Sequence, residues 1–97
     1  MNIKGILSQN IRTLRKDLSK KKGYKITQET MADLAGIPFP TYRAIELGIS
    51  WPELANLEAI AKALEVPVAR LFQEFVIQIS PKQALKVLED YVLKNNP

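Results

Sequence analysis

Between Ile26 and Gly48 the chain reads ITQETMADLAGIPFPTYRAIELG, and this stretch limits the possible folds more than any other. Its spacing predicts two short helices separated by a turn at Gly36. Thr27 is a good N-cap, and Met31, Leu34 and Ala35 recur at three- and four-residue spacing, so the first of the pair buries one face and stops at Gly36. The second begins near Pro38, carries Tyr42 and Ile45 on its inner face with Ala44 small enough for close approach, and ends at Gly48. Helices this short are unstable alone in water, so both must pack on the rest of the chain.

The flanking sequence supplies that support. Ile6, Leu7, Ile11, Leu14 and Leu18 stripe a helix from Ile3 to about Ser19, and the basic run KKKGYK, Lys20 to Lys25, then reads as a loop broken at Gly23. After Ser50-Trp51-Pro52, with Pro52 suited to a first helical turn, a fourth helix turns Leu54, Leu57, Ile60, Ala61 and Leu64 inward. Pro67 restarts the chain into a fifth, from Val68 to about Gln73, ending on Leu71 and Phe72. The expectation is an all-α domain of five helices over residues 1–73, followed by an extension over residues 74–97.

In that extension Phe75, Ile77 and Ile79 alternate with Val76 and Gln78, so Glu74 to Ile79 reads as a short strand. The alternative is that the fifth helix runs on through Phe75 and Val76. Ser80 and Pro81 then open a last helix through Lys94, striped by Ala84, Leu85, Leu88, Tyr91 and Val92. A lone strand edge in a helical chain is a liability unless a second copy covers it, so the extension is expected to make a homodimer.

Composition narrows the chemistry. The 97 residues contain no histidine, which removes the commonest general base and the commonest metal ligand together, and no cysteine, which removes disulfides and thiolate metal sites. There is no glycine-rich phosphate loop, paired-carboxylate motif or nucleophile with a base, so neither catalysis nor a cofactor or metal is expected. No apolar run is long enough to span a bilayer, and MNIKGILSQNIR is interrupted by polar residues before a signal-peptide core could form, so no membrane association and a cytoplasmic location are expected.

The net charge of +4 conceals an asymmetry. From Met1 to Lys25 the chain carries eight cationic residues against Asp17, or +7, whereas Ile26 to Ile79 totals −4 and the remainder +1. A basic block on a small domain is what phosphate binding needs. Taken alone, the block is equally a solvated, lysine-rich loop. Two short helices around a glycine turn are also how a small protein presents one helix to the major groove of DNA.

The segment Ile11 to Phe72 resembles the lambda-repressor-like, or Xre-type, helix-turn-helix DNA-binding domains. The matching pieces are IRTLR at Ile11 to Arg15, TQETMADLAG at Thr27 to Gly36, AIELG at Ala44 to Gly48, Pro52, and LEAIAKALEVPVARLF at Leu57 to Phe72. The resemblance implies an ion pair between Arg15 and Glu46 that fixes the first helix against the recognition helix. It also implies that Gln28, the second residue of helix two, bonds a phosphate and braces the recognition helix; otherwise Gln28 is a plain first-turn surface residue. The partner implied is double-stranded DNA, bound by a regulator, most simply a repressor, as a dimer on a palindromic site.

Against that pattern the recognition helix departs. Positions that usually carry polar base readers are here Pro38, Phe39, Pro40, Thr41, Arg43 and Ala44. Arg43 can grip a guanine edge, Thr41 can hydrogen-bond, and Phe39 can touch a thymine methyl. Arg43 has an alternative as an exposed partner of Glu46, and Phe39 as a protein contact. The segment between Arg15 and Gln28 is longer than the family's minimal spacing, and the excess holds Lys20, Lys21, Lys22 and Lys25, to which the phosphate grip can have moved. Trp51 stands where the family often has basic residues and reads as packing or as an interface anchor. Phe39, Pro40, Ile49 and Trp51 together would also suit a protein partner, which keeps open a second function as an interaction module of antitoxin or phage-adaptor type.

Overall fold

The computed structural model describes residues 2–73 and 81–95, and over these the chain is helical with no strand. The alternating stretch Glu74 to Ile79 lies outside the described residues. The helices are α1 (Ile3–Lys22), α2 (Gln28–Ala35), α3 (Phe39–Glu46), α4 (Leu54–Ala63), a short 3-10 helix (Val68–Phe72) and α5 (Pro81–Asn95).

Helix α1 starts on Asn2, whose side chain accepts the Gly5 amide at 2.9 Å, and ends at Gly23 in the left-handed region, φ +80°. It is longer than its apolar stripe predicts. Lys20, Lys21 and Lys22 form its last turn rather than a loop, because lysine is a good helix former and its charge suits the negative end of the helix dipole. Lys21 and Lys22 are further held by Glu65, each at 2.9 Å.

Around the central turn the structure follows the sequence closely. Thr27 caps α2, its hydroxyl accepting the Thr30 amide at 3.1 Å. Gly36 takes φ +69°, which lets the Ile37 amide reach back to the Ala32 carbonyl at 3.0 Å and turn the chain toward α3. The buried face of α2 is Met31 and Ala32, with Ala35 packed beside them, whereas Leu34 points out at 54% exposure. The expected place of Leu34 on the inner face is thus corrected: α3 and α4 pack over Met31 and Ala32 instead.

The core joins Leu7, Ile11, Leu14 and Leu18 of α1 to Tyr42 and Ile45 of α3, Leu57, Ile60 and Ala61 of α4, and Leu71 and Phe72. Helix α1 packs on both α3 and the 3-10 helix, and α2 packs on α3 and α4. Asn10 ties α1 to the 3-10 helix, donating its amide to the Leu71 carbonyl at 2.7 Å. Pro52 lies before the N-cap Glu53 rather than within the first turn of α4. The expected fifth helix is, over Val68–Phe72, a 3-10 helix.

Helix α5 docks through one aromatic seam. The Tyr91 ring meets Trp51 at 5.4 Å and the edge of Phe72 at 5.7 Å, and its hydroxyl donates to the Pro52 carbonyl at 2.9 Å. Burial pushes the Tyr91 phenol up to about 12, so it stays a donor at neutral pH. Lys4 lies over the outer side of Trp51, 5.8 Å from the ring centre. Leu88 packs on the core alongside Tyr91, but Leu85 is exposed, correcting its place in the inward stripe. None of the described helices is long and apolar enough to cross a membrane.

Candidate nucleic-acid interface

The position of α3 is fixed from behind by one carboxylate. Glu46, the last residue of α3, is wholly buried. Its Oε1 accepts Arg15 Nη2 at 2.8 Å and Gln28 Nε2 at 3.1 Å, while Oε2 accepts Arg15 Nε at 3.0 Å and the Tyr42 hydroxyl. A side-on, two-nitrogen grip of this kind suits a planar guanidinium and a carboxylate. Arg15 also donates from Nη1 to the Ile26 carbonyl at 2.9 Å, just before the cap of α2. The expected Arg15–Glu46 pair is therefore present, and it gathers α1, α2 and α3 at one point.

Gln28 is the first residue of α2, and its amide braces Glu46. Tyr42 was expected only as an inner-face residue, and two residues of α1 that reach Glu46 were not singled out by the sequence. Ser8 donates its hydroxyl to the Glu46 carbonyl, and Arg12 reaches the same oxygen at 3.4 Å. The signal was present: Ser8, Arg12 and Arg15 follow at four- and three-residue spacing on one helix face, and Tyr42 lies four residues before Glu46 within α3.

The protonation states follow from these contacts. Burial opposes ionisation of Glu46, but hydrogen bonds from Arg15, Tyr42 and Gln28 outweigh it and hold the carboxyl below its ordinary 4.5. The hydrogen bond to Glu46 raises the Arg15 guanidinium, and burial followed by the bond to Glu46 raises the Tyr42 phenol. Because the folded Glu46 is the stronger acid, its contribution to stability is complete above pH 4.5 and is lost as pH falls through the folded value. Thermal denaturation between about pH 6 and about pH 3 should therefore show a falling melting temperature. Glu46→Gln, which cannot titrate, should flatten that fall and start from a lower plateau.

On its outer side α3 presents Phe39, Pro40, Thr41 and Arg43, all exposed, with Ala44 partly covered and Leu47 exposed just beyond the helix end. Pro40 sits in the first turn, where it removes an amide that would otherwise face outward. Thr27 and Lys25 are exposed at the start of α2, as are Lys20 and Lys21 on α1. Lys21 and Lys22 differ from a free basic cluster, because both are engaged by Glu65 in the turn after α4. Hydrogen bonds from Lys22 and Lys21 hold the Glu65 carboxyl at about 2, so this neutralisation persists through the physiological range. Trp51 is occupied by Tyr91 and Lys4, which makes it an internal anchor for α5.

Comparisons with known proteins agree with this geometry. A helix-turn-helix family model matches residues 11–71. The chain is 35% identical over 86 residues to an uncharacterized HTH-type transcriptional regulator, YqaE, of Bacillus subtilis (strain 168), a match covering 88% of this chain and 69% of that protein. Among solved structures it is similar to the crystal structure of a hypothetical transcription factor, NHTF, from Neisseria. That likeness has a TM-score of 0.59 at 26% identity, over 88% of this chain and 84% of the other.

Proposed function

The chain belongs to the helix-turn-helix family of lambda-repressor-like, Xre-type domains, and we propose that it is a sequence-specific DNA-binding regulator that represses transcription from a palindromic operator. The observation that carries this reading is the construction of α3. The side-chain contacts that Arg15, Gln28 and Tyr42 make to Glu46 lie on its inner side, which leaves Phe39, Pro40, Thr41 and Arg43 outward on a rigid support. In this reading the first turn of α3 enters the major groove, Thr27, Gln28 and Lys25 approach the backbone at the start of α2, and Lys20 adds charge beside Lys21 and Lys22, whose charge Glu65 partly offsets.

A homodimer through the C-terminal extension would set two copies of α3 about 34 Å apart, one helical turn of DNA. Exposed Leu85 and Leu93 on α5 are apolar surface that such a pairing would cover. The second reading, an interaction module, would use the exposed Phe39, Pro40 and Ile49 with the open side of Trp51, whose other contacts are to Tyr91 and Lys4.

The test is fluorescence anisotropy against duplex from upstream of the chain's own gene and a scrambled duplex, each over a range of salt. Preference for the natural sequence supports the proposal; equal, salt-labile binding to both would reduce the chain to a nonspecific cation, and no binding would reject it. Arg43→Ala is expected to weaken binding to the preferred site by about 1–3 kcal/mol and to relax discrimination at one base pair, with the fold intact by circular dichroism.

A further inference from the structure

The outer surface of α3 is poor in the groups that read bases by hydrogen bonds. With Tyr42, Ile45 and Glu46 turned inward, what remains is Phe39, Pro40, Thr41, Arg43, the partly covered Ala44 and, after the helix, Leu47. Arg43 is the one charged residue of this set, and Thr41 the one neutral hydrogen-bonding side chain. A groove surface of this kind matches one chemical feature of duplex DNA. Thymine alone among the four bases carries an apolar group on its major-groove edge, the C5 methyl, and phenylalanine and alanine are side chains suited to touch it.

Resting on the DNA-binding reading above, we propose that α3 recognises its half-site mainly through apolar contact with thymine methyl groups. Phe39 and Ala44 make those contacts, and Arg43 adds a single guanine. Phe39 is the first residue of α3 and keeps 36% of its surface exposed, at the end of the helix that in this reading leads into the groove. Ala44 lies five residues on, close enough to the helix axis to let a base edge approach. Pro40 between them adds a further apolar surface and gives up an amide, which shifts this turn from phosphate binding toward shape and apolar contact. The preferred half-site is accordingly a thymine-containing sequence with one essential G·C pair.

The closing experiment uses the full chain. A preferred duplex is selected from a randomised library, and each of its thymines is then replaced in turn by deoxyuridine, which removes the methyl and leaves every hydrogen-bonding group and the base pairing in place. Loss of one buried methyl should weaken binding about 4-fold at each contacted position. Phe39→Ala should abolish the thymine-to-uracil difference at its own position while Arg43→Ala leaves it unchanged. A duplex still preferred over scrambled DNA, yet bound equally with uracil throughout, overturns the methyl readout and leaves the regulator reading standing. The same thymine preference in Phe39→Ala as in the parent removes Phe39 from that role and overturns the assignment. Selection that yields no preferred duplex rejects the regulator reading and this inference with it.

Discussion

Replacing Glu46 with alanine should destabilise the domain by about 3–5 kcal/mol, as expected when one partner of a buried ion pair is removed. The loss is large because the carboxylate serves several donors at once. Arg15, with only 13% of its side chain exposed, keeps the Ile26 carbonyl but loses its counter-ion, and Gln28 Nε2 and the Tyr42 hydroxyl lose their acceptor. In the native protein no buried side-chain nitrogen or oxygen among the described residues lacks a partner, so each of these becomes a new cost. For a domain of this size, whose total stability is on the order of 5–15 kcal/mol, such a loss is a large fraction. Urea denaturation measures it as a lower midpoint. Arg15→Met should cost a similar amount, and the double variant should cost less than the two together, since each single change strands the partner of the other. A loss under about 1 kcal/mol for Glu46→Ala would mean that packing alone holds α3.

Phe72→Ala should be comparably damaging, by about 3–5 kcal/mol, and it should release α5 before the rest of the domain melts. Phe72 is 1% exposed and stands between two bodies, the core formed with Leu57 and Leu71 and the ring of Tyr91 on α5. Its removal would enlarge a crevice of about 230 Å3 that already runs between Leu54, Val68 and Leu88. The contact it loses is the one that orients Tyr91 toward Trp51 and the Pro52 carbonyl. Trp51 is the sole tryptophan, so its emission reports this seam directly. In the parent, emission and far-ultraviolet circular dichroism should change together on heating. In Phe72→Ala the emission should shift first. Glu58→Ala, at an exposed position of α4, serves as the control and should stay within about 0.5 kcal/mol of the parent. Coincident transitions in Phe72→Ala would show that α5 does not depend on this ring.

The parts of the fold legible in the sequence were those set by local rules. Thr27 and Gly36 bound α2 because capping and a left-handed turn depend on a few neighbouring residues. The Arg15–Glu46 joint was legible through resemblance, since no local pattern links positions so far apart. What the sequence left open depends on partners remote in the chain. Whether Lys20 to Lys22 coil or stay helical turns partly on Glu65, which α4 brings to them. Whether Trp51 faces solvent or α5 turns on Tyr91. The choice between Leu34 and Ala32 on the inner face of α2 depends on how closely α3 and α4 approach. Of the candidate interface, Pro40, Thr41 and Arg43 were readable as outward from helical period, because Tyr42 and Ile45 fix the inner face; Phe39, three residues before Tyr42, is exposed because it stands at the open end of the helix.

The attachment of α3 through Glu46 has a consequence for how such a protein can change. The residues that hold the helix and those proposed to meet DNA do not overlap: Tyr42, Ile45 and Glu46 are buried on the inner side, and Phe39, Thr41 and Arg43 are exposed on the other. Substitutions on the outside therefore meet little resistance from the fold, and new preferences can be acquired one side chain at a time without first losing the scaffold. The same separation makes the chain a natural acceptor for grafting, in which the outer residues of another recognition helix are installed while the inner triad is left alone.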